Sequence, residues 1–226
     1  MSLQGATIVF DLDGTLVDTA PDLIGALNAV LAEQKLPPTP VASARRLVGH
    51  GVRNLVVQGF AEAGDPLGAD RADALTKRFI EVYGGRIADE SVVFEGVQAA
   101  LGALAAAGAR LAVCTNKRTD LSIALLDALK LSPWFAAVVG SDLGAQKPDP
   151  RLLYLAIERA GGQPDRALFV GDSNVDLQTA RNARVPVVGV PFGYVATPLK
   201  AEDFDALIDR FEQLPAVAER LIGRPA

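Results

Sequence analysis

The sequence has only one cysteine and one histidine, no run of basic residues and no apolar run long enough to cross a bilayer. A single cysteine, Cys114, excludes an intramolecular disulfide and is typical of a reducing compartment. The net charge of −5 without a basic cluster excludes the electrostatic surface that nucleic-acid binding requires. Because the sequence also has no recognisable signal peptide, we expect a soluble, cytoplasmic protein without nucleic-acid or membrane partners.

Half of the 226 residues are hydrophobic and 22% are charged, which is ordinary for a globular protein and excludes a disordered chain. This length suits one large domain or a core with a smaller companion. Because the overall charge is negative, an anionic substrate would have to be bound by positive charge concentrated at the site itself.

An apolar stretch close to the N-terminus ends in two acidic residues. Ile8, Val9 and Phe10 predict a buried parallel strand, and Asp11 and Asp13 follow it directly. In an open α/β sheet the ligand crevice lies beyond the carboxyl ends of the strands. A buried strand does not need acids there for its own stability, so the pair indicates a ligand, a metal or a helix cap.

The segment from about residue 17 to residue 86 has helical patterns and no good strand. Apolar residues at helical spacing predict helices at about 22–31, 40–48, 52–63 and 70–83. We therefore expect a block of roughly four helices, inserted after the first strand.

Beyond Val92 strand and helix patterns alternate. Buried strands are predicted at 110–114, 136–140, 167–170 and 185–190. Helices are predicted at 96–107, 120–131, 150–160 and 175–183, followed over 203–222 by a closing helix or two separated by Pro215. Strands that alternate with helices of this length favour a parallel, doubly wound sheet.

Polar residues follow the predicted strands and contrast with their apolar interiors. In addition to Asp11 and Asp13 these residues are Thr115, Asn116, Lys147, Asp172 and Asp176. The carboxyl ends of parallel strands share one edge of the sheet, so we expect these groups to converge. Four carboxylates repel one another unless a cation neutralises them, and oxygen ligands with open positions favour Mg²⁺. A metal, a lysine and a hydroxyl together suit phosphoryl transfer.

These residues belong to four short motifs that resemble those of the haloacid dehalogenase-like (HAD) superfamily. The motifs are Asp11–Thr15, Thr115–Asn116, Lys147–Pro148 and Gly171–Asp176. They occur in the order of the superfamily and span essentially the whole chain. The resemblance implies an α/β fold in which residues 1–16 and 87–226 form a Rossmann-like core with a parallel sheet. It also implies that residues 17–86 form an inserted, all-helical cap domain.

The resemblance implies chemical roles for the first two acids. Asp11 would attack phosphorus and form an aspartyl-phosphate that water then hydrolyses. Asp13 would protonate the leaving alkoxide and then activate the water. The dehalogenases of the superfamily lack this second acid, so its presence indicates phosphate-ester chemistry.

The resemblance also implies a metal site and a phosphate site. Mg²⁺ would be bound by the Asp11 carboxylate, the backbone carbonyl of Asp13 and the Asp172 carboxylate. Asp176 would not bind the metal directly but would orient these ligands or the Lys147 ammonium. The phosphate oxygens would be bound by Thr115, the Asn116 amide and Lys147.

Within the superfamily the sequence most resembles the bacterial phosphoglycolate phosphatases. The less specific segments that carry this resemblance are 10–19, 49–53, 146–148 and 189–194. It implies hydrolysis of a small phosphorylated metabolite, 2-phosphoglycolate above all. Arg53, or the backbone amides at the start of the helix that follows Gly51, are candidates to bind the substrate carboxylate. Another small phosphate ester stays open as the substrate, and so does the sugar phosphomutase reaction on the same fold. Monomer and homodimer are both open.

Several of these residues also have an ordinary structural interpretation. Thr115 alone would suit a turn, Lys147 a solvated loop, and Asp176 the first turn of a helix. Arg53 is explained about equally well as a surface residue. His50, the only histidine, is explained as a turn residue next to Gly49 and Gly51, because the Asp11 and Asp13 pair leaves it no proton to transfer.

Overall fold

The structure is a computed structural model that describes residues 2–43, 47–194 and 199–223. Its strands are β1 (Thr7–Phe10), β2 (Val17–Asp18), β3 (Val92–Val93), β4 (Arg110–Cys114), β5 (Ala137–Val139), β6 (Ala167–Gly171), β7 (Val187–Gly189) and β8 (Ala206–Leu207). Its α-helices are α1 (Ala20–Glu33), α2 (Val52–Glu62), α3 (Ala69–Gly84), α4 (Val97–Ala106), α5 (Thr119–Ala128), α6 (Pro150–Arg159), α7 (Asn174–Ala183) and α8 (Leu214–Ile222).

Six of the described strands form one parallel sheet in the order β5-β4-β1-β6-β7-β8. Helices α4, α5 and α8 cover one face of this sheet, and α6 and α7 cover the other. A strand covered on both faces has to be apolar along its whole length, which explains the unbroken run Ile8–Phe10 in the central strand β1. The predicted α/β fold with a parallel sheet is confirmed.

Helices α1, α2 and α3 pack around a shared apolar core, which includes Leu27, Phe60 and Phe79 and extends to Leu121 of α5. Gly59 allows α2 to approach α1 closely, because a Cβ atom at this position would lie 2.5 Å from Cδ2 of Leu27. The helix predicted at 40–48 cannot be followed as a whole: 41–43 form a 3₁₀ turn, and 44–46 lie outside the described residues. The bounds of the cap domain, 17–86, stay a prediction.

Two short strands differ from the sequence-based prediction. β2 pairs antiparallel with β3, so a strand lies at the start of the segment expected to be helical throughout. β8 pairs parallel with β7 inside the segment 203–222, which was expected to be helical. Pro215 does not separate two helices but lies in the first turn of α8, where a missing N–H costs nothing. Strands of two residues are too short to produce a periodic pattern in the sequence.

The buried carboxylate of Asp22 ties α1 to the segment that leads into β3. Its Oδ2 accepts hydrogen bonds from the backbone N–H groups of Glu90 (3.0 Å) and Ser91 (2.7 Å) and from the Ser91 hydroxyl (2.7 Å). The Arg86 guanidinium lies 3.6 Å from Oδ1. Both connections between the sheet and the helical segment are therefore held together at one side chain. Within the described residues no helix is both long and apolar enough to cross a membrane.

Replacing Asp22 by alanine should lower the free energy of unfolding by about 3 kcal/mol, because it leaves buried donors without their charged acceptor. Denaturant unfolding followed by circular dichroism measures this loss. Asp70→Ala, at an exposed position in the first turn of α3, is the matched control and should cost less than about 1 kcal/mol. Equal losses in the two variants would contradict the role given to Asp22.

Candidate active site

Asp11 lies at the carboxyl end of the central strand. Its backbone N–H donates to the carbonyl of Val170 at 2.9 Å, which extends the pairing of β1 with β6 by one residue. The chain then turns at Gly14, where φ is +87° and a Cβ atom would lie 2.6 Å from Oδ2 of Asp172. Both the backbone angle and this close approach require glycine. The turn brings the residues that follow β1 against the end of β6.

Three buried carboxylates meet at this edge of the sheet. Asp11, Asp172 and Asp176 each offer an oxygen, and these oxygens lie within 4.8 Å of one another. The Lys147 ammonium lies 2.7 Å from Oδ1 of Asp11 and 2.7 Å from Oδ1 of Asp176. One ammonium cannot balance three carboxylates, so the donor set fits a divalent cation with oxygen ligands.

The surplus of negative charge is visible in the pKa values. Burial raises the pKa of Asp11 to about 7; the Lys147 ammonium opposes this rise, and the charges of Asp176 and Asp13 add to it. Burial, followed by the charges of Asp176 and Asp11, raises the pKa of Asp172 well above its ordinary value. Burial alone would lower the pKa of Lys147, but Asp11 and Asp176 raise it, so the lysine stays charged. A bound cation would lower the pKa of both Asp11 and Asp172, because it stabilises their charged forms.

Two residues that the sequence did not single out hold Asp172 in place. The Thr15 hydroxyl donates to Oδ1 of Asp172 (2.9 Å), and the Tyr194 backbone N–H donates to Oδ2 (2.6 Å). The Tyr194 hydroxyl also donates to Oδ1 of Asp18 (2.6 Å) and accepts from the N–H of Ala20 (2.7 Å). Tyr194 therefore connects a candidate metal ligand to the start of α1. The contact of Tyr194 with Asp172 uses the backbone N–H, so the residue type at position 194 does not predict it.

Asp176 makes the contacts expected from both interpretations of this residue. It is the third residue of α7 and forms a capping box with Ser173, because each side chain bonds the backbone N–H of the other. Its other oxygen accepts from the Lys147 ammonium. The start of a helix thus fixes the carboxylate that faces the lysine.

The Asn116 side chain holds the loop that carries Lys147. Its Oδ1 accepts from the N–H of Lys147 (2.8 Å), and its Nδ2 donates to the carbonyls of Lys147 (3.2 Å) and Gly49 (3.1 Å). The Lys147–Pro148 peptide bond is cis. Thr115 is buried, and its hydroxyl accepts from the N–H of Lys117 (3.2 Å), as expected of a turn residue. Thr115 and Asn116 both line the same cavity as Asp11.

Asp13 is paired with a second buried lysine. The Lys117 ammonium lies 2.9 Å from Oδ1 and 3.2 Å from Oδ2 of Asp13, and the Thr19 hydroxyl donates to Oδ1 at 2.8 Å. The same ammonium lies 4.5 Å from the centre of the Tyr83 ring in α3. Burial would lower the pKa of Lys117, but Asp13 and Tyr83 raise it. The sequence offered one sign of this residue, a third polar position directly after Thr115 and Asn116.

A narrow cavity separates these groups from the helical segment. The sheet side supplies Asp11, Asp13, Thr115, Asn116, Lys117 and Lys147; the helical side supplies Leu23, Leu47, Val48, Gly49, Gly51, Val52 and Leu55. The space open to the centres of water-sized molecules is about 30 Å³, which is room for roughly two waters. The polar groups therefore lie on one wall and an apolar surface lies opposite.

Three residues considered from the sequence do not line this cavity. Arg53 lies on the outside of α2, with 55% of its side chain exposed, and its Nε is 2.8 Å from Oδ1 of Asp73. His50 is exposed between two glycines that do line the cavity. Cys114 is buried in the apolar core, and burial raises the pKa of its thiol. Cys114 is therefore a core residue.

The chain is similar in sequence to proteins of known family. The sequence profile of the haloacid dehalogenase-like hydrolases matches residues 8–190. The phosphoglycolate phosphatase of Caulobacter vibrioides is 54% identical over 221 residues, which cover 97% of this chain and 93% of that protein. The phosphoglycolate phosphatase of Mesorhizobium japonicum is 45% identical over 217 residues, which cover 95% of this chain and 96% of that protein.

Solved structures show the same fold. A predicted phosphoglycolate phosphatase from Haemophilus somnus superposes with a TM-score of 0.86 at 32% identity, over 96% of this chain and 99% of that chain. CbbY from Rhodobacter sphaeroides, solved in complex with phosphate, superposes with a TM-score of 0.79 at 25% identity, over 95% of this chain and 96% of that chain.

Binding of a divalent cation should stabilise the protein more at about pH 8 than at about pH 5. The pKa of Asp11 is about 7 in the folded protein and 3.8 ordinarily, so the folded state binds this proton more tightly. The stability that Asp11 contributes is complete below about pH 4 and is lost as the pH rises towards 7. A cation replaces the proton and restores that stability.

The rise in Tm on adding the cation, followed by calorimetry at both pH values, measures the effect. Asp172→Asn should abolish most of the rise, whereas Asp70→Asn, an exposed control, should respond as the unmodified protein does. An equal rise at both pH values would contradict the expected competition between proton and cation.

Proposed function

The chain belongs to the haloacid dehalogenase-like hydrolases, and on this premise we propose that it hydrolyses 2-phosphoglycolate to glycolate and phosphate. The observation that carries the proposal is the cluster of Asp11, Asp172 and Asp176 around the Lys147 ammonium, beside Asp13 and open to the narrow cavity. The phosphoglycolate phosphatases that are 45% and 54% identical to this chain support the substrate.

In the first step, the Asp11 carboxylate attacks phosphorus, and the bond between phosphorus and the glycolate oxygen breaks. Asp13 gives its proton to that oxygen, so glycolate leaves as the alcohol. In the second step, Asp13 takes a proton from a water molecule that attacks the phosphorus of the aspartyl-phosphate. Phosphate leaves, and the Asp11 carboxylate and the proton on Asp13 are both restored.

The phosphoryl group needs positive charge and donors around its oxygens. The buried Lys147 ammonium would supply the charge, held in position by Asp176 on one side and by the Asn116 side chain along its backbone. Thr115 and the Asn116 amide would bind further phosphate oxygens at the end of β4. Because hydrogen bonds already hold Lys147 and Asn116 in place, these groups would need little reorientation when the charge develops.

Mg²⁺ is the proposed cofactor. Asp11, the backbone carbonyl of Asp13 and Asp172 would hold it, with Thr15 and Tyr194 orienting Asp172. When bound, Mg²⁺ would neutralise charge on the phosphoryl oxygens. The three-carboxylate cluster and the raised pKa values of Asp11 and Asp172 support a hard divalent cation at this position.

We propose that residues 17–86 form the cap domain and residues 1–16 and 87–226 the core. The shared apolar core of α1, α2 and α3 supports this division, and so does the β2–β3 pair at the two connections. The cavity between the proposed cap and the core is narrow, which favours a small ester over a sugar phosphate. A cytoplasmic location and a monomer or homodimer stay predictions.

Asp11→Asn should lower kcat for 2-phosphoglycolate by a factor on the order of 10³ or more, because the amide cannot attack phosphorus. Release of inorganic phosphate measures the rate, with Mg²⁺ and with EDTA. Asp70→Asn makes the same chemical change at an exposed position and should leave the rate unchanged. Retained activity in Asp11→Asn would refute the mechanism. Phosphate release from a single substrate, without a sugar bisphosphate, would exclude the mutase reaction.

Arg53→Ala should change kcat/KM for 2-phosphoglycolate less than about twofold. Arg53 is exposed, bound to Asp73 and outside the cavity, and such exposed ion pairs contribute little. Steady-state kinetics with the unmodified protein as reference measures the change. A tenfold or larger loss of kcat/KM that is confined to substrates with a carboxylate would contradict this prediction and show that Arg53 binds the substrate carboxylate.

A further inference from the structure

The cavity contains a buried cation to which the mechanism above gives no task. Lys117 follows the end of β4 and lines the cavity, and only 2% of its side chain is exposed. We propose that Lys117 binds the carboxylate of the substrate and thereby selects phosphate esters that carry a carboxylate on the carbon bonded to the ester oxygen. This inference rests on the proposed function and extends it to substrate choice.

The first argument is distance. In the proposed mechanism Asp13 contacts the oxygen that bridges phosphorus and carbon. The carboxylate carbon of 2-phosphoglycolate lies only two bonds of about 1.5 Å from that oxygen. The Lys117 ammonium lies 2.9 Å and 3.2 Å from the two Asp13 oxygens. A carboxylate whose carbon lies two bonds from the bridging oxygen can therefore reach this ammonium.

The second argument concerns the other cations that the described part of the cavity wall offers. Among the described residues that line the cavity, the other cationic side chain is Lys147, which contacts Asp11 and Asp176 and is needed by the phosphate. Arg53 points away and binds Asp73. The helical wall is apolar apart from its backbone. Of the cations that the structure describes at the cavity, Lys117 remains for the second anionic group of the substrate.

The third argument is that Lys117 can bind a further anion. An ammonium has three N–H donors, and the two Asp13 oxygens occupy at most two of them. The Tyr83 ring, 4.5 Å from the nitrogen, stabilises the cation through its face without replacing a hydrogen-bond acceptor. Because the group is almost completely shielded from water, an ion pair with the substrate is weakened little by solvent. A site built in this way rejects an analogue that lacks the charged group.

The test compares 2-phosphoglycolate with glycolamide phosphate, in which a neutral amide of the same size replaces the carboxylate. The measured quantity is kcat/KM for 2-phosphoglycolate divided by kcat/KM for glycolamide phosphate. A general effect of the substitution on Asp13 changes both values and cancels in this ratio. Lys117→Met should lower this ratio at least tenfold relative to the unmodified protein. Lys117→Arg keeps the charge and should retain most of the ratio. Lys77→Met, at an exposed position on α3, is the matched control and should leave the ratio unchanged.

Lys117→Gln provides the same measurement if the methionine variant does not fold, because its amide can still donate to Asp13; it too should lower the ratio at least tenfold. A fall in both kcat/KM values with an unchanged ratio would overturn the proposal, since Lys117 would then only position Asp13. A protein that hydrolyses glycolamide phosphate but not 2-phosphoglycolate would overturn the proposed substrate and the role of Lys117 together. If the unmodified protein prefers 2-phosphoglycolate and the ratio is unchanged in both Lys117→Met and Lys117→Gln, the role of Lys117 is overturned while the proposed substrate stands.

Discussion

Three carboxylates and one ammonium, all buried at the end of a parallel sheet, form the constraint on which the site depends. Carboxylates at this distance repel one another, so other contacts have to hold each of them in its buried position. Thr15 and Tyr194 hold Asp172, and the capping box at the start of α7 holds Asp176. The sheet itself fixes Asp11. The fold thus holds a surplus of negative charge at this edge of the sheet, which a bound divalent cation would neutralise.

The same polar groups connect the core to the helical segment. Asn116 reaches the carbonyl of Gly49, Lys117 lies against the Tyr83 ring, and the Tyr194 hydroxyl contacts the start of α1. Residues at the strand ends therefore lie at the candidate phosphate and metal sites and also contact the helical segment. The position of the helical segment and the geometry of the site are linked through these direct contacts.

The sequence predicted the sheet because a strand buried on both faces has to be apolar throughout, and it predicted the family because four motifs occur in order. It did not reveal β2 and β8, since two-residue strands have no period and form only when a distant partner is in place. It also missed the role of Tyr194 in holding Asp172, because that contact uses a backbone N–H, which nearly every residue has.

What the sequence by itself determined is the family and, through the family, the class of reaction, because four short motifs occur in the family's order along the chain. Only the tertiary structure decided which cation faces the cavity. Arg53 and Lys117 both stand next to glycine or polar residues in the sequence, yet one points to solvent and the other lies beside Asp13, 104 positions away in the chain. The direction of a side chain depends on such distant contacts, which spacing along the sequence does not encode.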